Sequence, residues 1–118
     1  MKYYYTTVKA TCACLSAMGL LAGSALAMQE VPAEAGRKIY AREKCNVCHQ
    51  IAGHGNQRFP LDGVGARLSP TDLRRWFTNT IDMEAALPKK PAIKMSSKKY
   101  RMKDTELDAL VAYLLTLK

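Results

Sequence analysis

Cys45-Asn46-Val47-Cys48-His49 is the stretch on which the reading of this chain turns. Two thiols three positions apart, with an imidazole directly after the second, suit three chemistries. One is a redox disulfide, which expects an alternating strand and helix pattern around it. A second is a zinc site, for which Cys45, Cys48, His49 and His54 would be the four ligands. The third is covalent attachment of a haem: each thiol adds to one vinyl group of the porphyrin, and His49 is delivered to the iron as the proximal ligand. The alternating pattern is missing here. A zinc site would need the neighbours Cys48 and His49 to hold one tetrahedral ion, and beyond His54 the chain that follows offers no further Cys or His to help. Haem is the reading these residues support best.

Upstream of the motif, Lys2 and Lys9 flank a short polar start, and an apolar run from Ala10 to Ala27 closes on Ala25-Leu26-Ala27. This is the pattern of a cleavable secretory signal, expected to span residues 1–27. The run is rich in Ala, Gly and Ser and falls short of the roughly 20 strongly apolar residues of a membrane-spanning helix. Residues 28–118 then form the mature chain, with no transmembrane segment expected in it. Cys12 and Cys14 leave with the leader, so Cys45 and Cys48 are the only remaining thiols. In a compartment that oxidises free thiols they must be paired, metal-bound or consumed in another covalent bond. A chain of 118 residues holds one small domain, and one this small is expected to need a staple beyond its own core. Nothing repeats along it and no low-complexity tract appears.

The mature chain reads as all-α. A first helix begins after Pro32, with Ala33 and Glu34 in its opening turn, and runs through Gly36, Ile39 and Tyr40 toward Cys45. Gly36 inside it costs about 1 kcal/mol relative to Ala, which a close helix approach would repay. From Gln50 to Leu68 the residues Gly53, Gly55, Pro60, Gly63 and Gly65 deny any long helix or strand, so this segment is expected to wrap around something. A second helix starts at Ser69-Pro70-Thr71-Asp72, with Ser69 capping, Pro70 in the first position and Asp72 closing a capping box. Leu73, Trp76 and Phe77 share one of its faces. Residues 81–102 show no period, carry Pro88 and Pro91, and read as a loop with at most one helical turn. The last helix opens at Lys103 or Asp104 and carries an apolar stripe of Leu107, Leu110, Val111, Leu114 and Leu117.

With these elements in order, the chain resembles the small class I, monohaem c-type cytochromes of the bacterial periplasm, over essentially all of residues 28–118. The resemblance rests on Gly36 and Tyr40, on Cys45 to His49, on the loop Phe59-Pro60-Leu61-Asp62-Gly63-Val64-Gly65, on Leu73-Arg74-Arg75-Trp76, and on Leu110 to Leu115. It implies the cytochrome c fold, three main helices and loops around one covalently held haem c, with Leu61, Leu68, Tyr40, Trp76 and Phe77 packed around or near the ring. It implies that the first and last helices cross at Gly36, Tyr40 and Tyr113. It also implies that Pro60 supplies the carbonyl that takes the second ring N–H of His49.

For the iron's other face the resemblance points to Met95, in Pro91-Ala92-Ile93-Lys94-Met95, eighteen residues before Tyr113. The metal ligands would then be His49 and Met95. Met83 is the reserve candidate, Met102 reads better as a core contact, and Met28 falls at the mature terminus. His54 lies too close to the motif along the chain to reach the opposite face and reads as a loop residue. Two departures stand out: Ser96 follows Met95 where the family usually carries Pro, and Lys103 stands where it usually carries a Ser cap.

Two protein ligands close an iron to small molecules and suit it to electron transfer. The expected function is therefore a periplasmic single-haem electron carrier rather than an enzyme. Three alternatives stay open: a dedicated haem subunit of a periplasmic dehydrogenase or oxidase complex, a five-coordinate haem that binds a gas or reduces peroxide, and an apo zinc module. Once Lys2 and Lys9 are gone, 16 basic residues face 10 acidic ones. Lys89, Lys90, Lys94, Lys98, Lys99, Arg101 and Lys103 crowd the proposed ligand loop, and Arg37, Lys38, Arg42 and Lys44 precede the motif. Such a ring around a haem edge would steer the protein to an acidic patch on a redox partner. No aromatic interleaving supports nucleic acid as a partner.

Overall fold

Helix α1 spans Pro32–Arg42 in the computed structural model, which describes residues 31–118. The expected leader, residues 1–27, lies outside the described residues. Pro32 takes the first helical position, where its missing N–H is no loss, and Glu34 sits in the positive first turn. The helix stops before the motif because Lys44 turns left-handed (φ 55°), and a single 3₁₀ turn, Cys45–Val47, carries the first thiol.

Helix α5, Asp104–Leu115, is the spine of the fold, and it buries Leu107, Leu110, Val111 and Leu114 as the stripe requires. Leu117 lies beyond its end. Together with Ile39, Val64 and Leu73 these side chains make the buried core. Each such residue contributes about 1.5–3 kcal/mol of transfer free energy. Lys103 offers no capping hydroxyl and makes no side-chain cap bond, and the start of α5 keeps only the return half of a capping box, the Glu106 carboxylate accepting the Lys103 backbone N–H at 2.9 Å. Helix α1 crosses α5 at Gly36, where a Cβ would stand 2.0 Å from the Ala109 carbonyl oxygen and 2.6 Å from the Tyr113 Cβ. Tyr40 and Tyr113 meet edge to face beside it, with centroids 5.9 Å apart. The crossing is thus the one the resemblance implied.

Between α1 and the next long helix the chain forms more strand than the breaker-rich sequence suggested. Strands β1 (His49–Ile51), β2 (His54–Gly55) and β3 (Phe59–Pro60) make a small sheet in the order β2-β1-β3. Strand β2 pairs antiparallel with β1 and β3 pairs parallel to it. At two or three residues each, they are too short to leave a period-two signature. A one-turn helix α2, Val64–Arg67, follows, and its Gly65 seats the backbone on α5, with the Gly65 N–H bonded to the Leu117 carbonyl at 2.9 Å.

Helix α3, Pro70–Thr78, starts as the sequence dictates. The Ser69 hydroxyl accepts the Asp72 N–H at 3.1 Å and donates to the Asp72 carboxylate at 2.8 Å. The stretch 81–102 is more ordered than the loop expected there. Helix α4, Thr80–Ala85, follows α3 after a break at Asn79, and the Thr80 hydroxyl donates to the Trp76 carbonyl at 2.8 Å. A 3₁₀ turn occupies Met95–Ser97. No apolar stripe announces α4: Ile81 is 73% exposed, and the buried residue of the helix is an acid, Glu84.

Candidate functional site

The motif is built on the junction between α1 and the small sheet. Cys45 opens the 3₁₀ turn, Cys48 ends it, and His49 begins β1. The turn is braced from the following loop: the Asn56 N–H bonds to the Asn46 carbonyl at 3.0 Å, and the Asn56 side-chain amide donates to the Val47 carbonyl at 3.0 Å. Gly55 is required in that brace. Its φ is +103°, and a Cβ there would stand 2.2 Å from the His49 carbonyl oxygen.

The Nδ1–H of His49 donates to the backbone carbonyl of Phe59 at 2.9 Å. This corrects the expectation that Pro60 supplies the acceptor. The parallel register pairs His49 with Phe59 and Gln50 with Pro60, so the residue before the proline, not the proline, lies alongside the ring. Pro60 contributes differently: it is exposed, and the following Leu61 N–H bonds to the Gln50 carbonyl at 2.8 Å, which fixes that register. With Nδ1 committed, Nε2 is the nitrogen left to bind a metal, and the bond holds the ring in that tautomer. Burial lowers the His49 pKa below the ordinary imidazole range, although the Phe59 carbonyl works the other way. The neutral, ligating form is therefore favoured.

Cys45, Cys48 and His49 line a single cavity of about 330 Å³ whose wall is overwhelmingly apolar. That volume lies within the span of roughly 300–1,000 Å³ usual for ligand and cofactor sites. Tyr40, Leu61, Leu68, Trp76 and Phe77 line it, as expected of residues packed around a plate-like group. Burial pushes the Cys45 thiol up to about 11. Met95 also lines the cavity; Met83 and Met102 do not, and Met102 packs against the core instead. His54 is exposed on β2, away from the cavity. Among the described residues, no group of three or more His, Cys, Asp or Glu is placed to hold a metal ion, which removes the basis of the four-ligand zinc reading.

Among the cavity residues that the sequence alone does not announce, Tyr100 and Glu84 stand out. Tyr100 packs edge to face on Phe77, centroids 5.3 Å apart, with Lys98 Nζ 5.4 Å from its ring centre, and burial raises its phenol pKa. Glu84 reaches the cavity from α4. It is only 7% exposed, and its carboxylate accepts the Ser96 backbone N–H at 2.9 Å and the Ser96 hydroxyl at 2.6 Å. The Ser96 hydroxyl bond, foremost among several, holds its carboxyl below the usual carboxylate range. A Ser at position 96, where the resemblance leads one to expect Pro, was the available signal.

Two thiols, one oriented imidazole and an apolar wall fit a haem and little else. The cytochrome c family model matches residues 33–118. The chain belongs to the cytochrome c family. No curated protein and no solved structure matches it. As a c-type cytochrome it is a haem-based electron-transfer protein, mostly helical, with covalent haem c implied and redox partners to match. Among the described residues no helix is long and apolar enough to cross a membrane.

Proposed function

We propose that this cytochrome is an exported, periplasmic electron carrier with one haem, held through Cys45 and Cys48 and ligated by His49 and Met95. The bound group supplies one-electron chemistry, cycling between Fe(II) and Fe(III) without substrate turnover. The residues do the rest. Cys45 and Cys48 fix the ring to the backbone, the Phe59 carbonyl aims His49, and Tyr40, Leu61, Leu68, Trp76 and Phe77 keep water from the ring. The observation that carries the reading is Met95 lining the same cavity as the motif, while the other described methionines do not. A single Cys-x-x-Cys-His supports one haem per chain. The charged and apolar segments of residues 1–27 support export, and the Lys44, Lys94 and Lys98 side chains on the cavity wall support docking to an acidic partner.

The test is a visible spectrum of both redox states after periplasmic expression with haem attachment machinery. The expected result is a reduced c-type spectrum, an oxidised form with the weak red-edge band of a Met sulfur on ferric iron, and loss of that band in Met95→Ala. Mass spectrometry should show a chain beginning at Met28 and carrying one haem. A colourless product, rapid carbon monoxide binding by the reduced wild type, or a band that survives Met95→Ala would overturn the reading.

A further inference from the structure

Met95 heads a short turn in which it and Ser96 are half-buried, and its own segment gives it little support. That support amounts to the Ser97 N–H and hydroxyl on the Lys94 carbonyl, at 3.2 and 2.6 Å, and the Lys98 N–H on the Met95 carbonyl at 3.1 Å. These bonds close the turn on itself without tying it to the rest of the molecule. The tie comes from across the cavity wall, where the buried Glu84 carboxylate takes both donors of Ser96, one on each oxygen. Glu84 in turn stands on α4, which is bonded back to α3 through the Thr80 hydroxyl and the Trp76 carbonyl. A pyrrolidine at position 96 has neither an N–H nor a hydroxyl, so a chain with Pro there could not use this carboxylate. The unusual Ser and the buried acid therefore make sense only together.

We propose that Glu84 is a positioning residue for the iron's sixth ligand: its carboxylate clamps Ser96 and thereby holds the Met95 sulfur over the ring. This inference rests on Met95 being the second axial ligand, and it adds that the strength of that ligation is set from α4. Hydrogen bonds to a charged acceptor are stronger than neutral ones, and a buried carboxylate without its donors is costly, so the turn and α4 are held as a pair.

The experiment uses the full haem-loaded protein. It reads the red-edge band of the ferric form and the affinity for imidazole, which competes with Met for the iron, well below the thermal midpoint. Loss of global stability alone does not move ligand exchange under those conditions. Glu84→Ala should weaken the band and raise imidazole affinity by about tenfold to a hundredfold, the span set by one hydrogen bond to a charged group. Glu84→Gln should fall between wild type and Glu84→Ala, because its amide oxygen accepts the Ser96 N–H and its NH₂ donates to the Ser96 oxygen, but both bonds lose the charge that strengthens them. Ser96→Ala should raise the affinity several-fold, and combining it with Glu84→Ala should add less than the sum. A folded Glu84→Ala with wild-type band and wild-type imidazole affinity would overturn the clamp. If that variant does not fold, Ser96→Ala decides: a rise supports the clamp and no rise overturns it. Failure of the underlying ligation reads differently, as a band that survives Met95→Ala, and it would take the clamp down with it.

Discussion

Gly36 lies so close to Ala109 that no side chain fits between α1 and α5: a Cβ on Gly36 would meet the Ala109 carbonyl oxygen at 2.0 Å. The obstacle is backbone on a helix that carries most of the buried core, so it cannot swing aside as a side-chain tip could. Gly36→Ala improves helix propensity by about 1 kcal/mol, yet overpacking costs typically about 1–3 kcal/mol, and more where backbone must move. The net expectation is a clear loss. Denaturant unfolding of the haem-loaded protein should show a lowered midpoint; an unchanged or higher midpoint would mean that the helices do not cross at this point.

The Phe59 carbonyl, rather than Pro60, orients His49, and that separates the roles of two adjacent residues. Pro60→Ala leaves the accepting carbonyl where it is and chiefly loosens the unfolded chain, at a cost of about 0.4–1 kcal/mol. The reduction potential should stay within a few tens of millivolts of wild type, because the ligand's basicity is set by a bond that persists. Equilibrium redox titration checks this. A large shift in potential with the spectrum intact would show that the Pro60 ring itself is needed to hold the strand register that places the Phe59 carbonyl on His49.

How far the site could be read from sequence depended on whether a residue acts through its side chain or through the register of its backbone. Cys45, Cys48 and His49 act through side-chain chemistry at a fixed spacing, and they were legible. So were Gly36 and the stripe of α5, because a missing Cβ and a period of 3.6 are both written in the residues. The acceptor for His49 was missed by one position, since a carbonyl belongs to whichever residue the sheet register brings alongside, and strands of two residues leave no pattern. Helix α4, where the sequence suggests a loop with at most one helical turn, goes unannounced for a related reason. It turns a carboxylate inward and leaves Ile81 outside, the reverse of the polarity on which a hydrophobic-period reading relies.

Glu106 joins the start of α5 to the end of α1, accepting the Arg42 guanidinium at 2.5 Å as well as the Lys103 N–H. Arg42, foremost, brings its carboxyl from an ordinary 4.5 down to about 2. A carboxyl depressed in the folded state stabilises above its unfolded pKa, and that contribution is lost as pH falls through the folded value. The window is therefore from about pH 4.5 down to about pH 2. Glu106→Gln cannot ionise, so its stability should fall less steeply across that window while lying below wild type at neutral pH. Thermal midpoints measured at several pH values test the slope. Parallel curves for the two proteins would show that the pair does not contribute.

Lys44 and Lys98 are exposed, yet both line the cavity of the motif, and the proposed docking to an acidic partner places them at its contact. Charge at such a rim acts on encounter more than on the bound complex, raising association by roughly 10- to 1,000-fold at low salt. Reversing both, Lys44→Glu with Lys98→Glu, should slow electron transfer to an acidic partner protein several-fold at low ionic strength. The difference should vanish near 1 M salt, where the screening length shrinks to about 3 Å. Because the two reversals change net charge as well as position, the control is a pair of equal reversals at Arg67 and Arg75, which do not line the cavity. Stopped-flow rates across a salt series separate the cases. If the distant pair slows transfer as much as the rim pair, overall charge governs the encounter, and the cavity rim is not a docking surface.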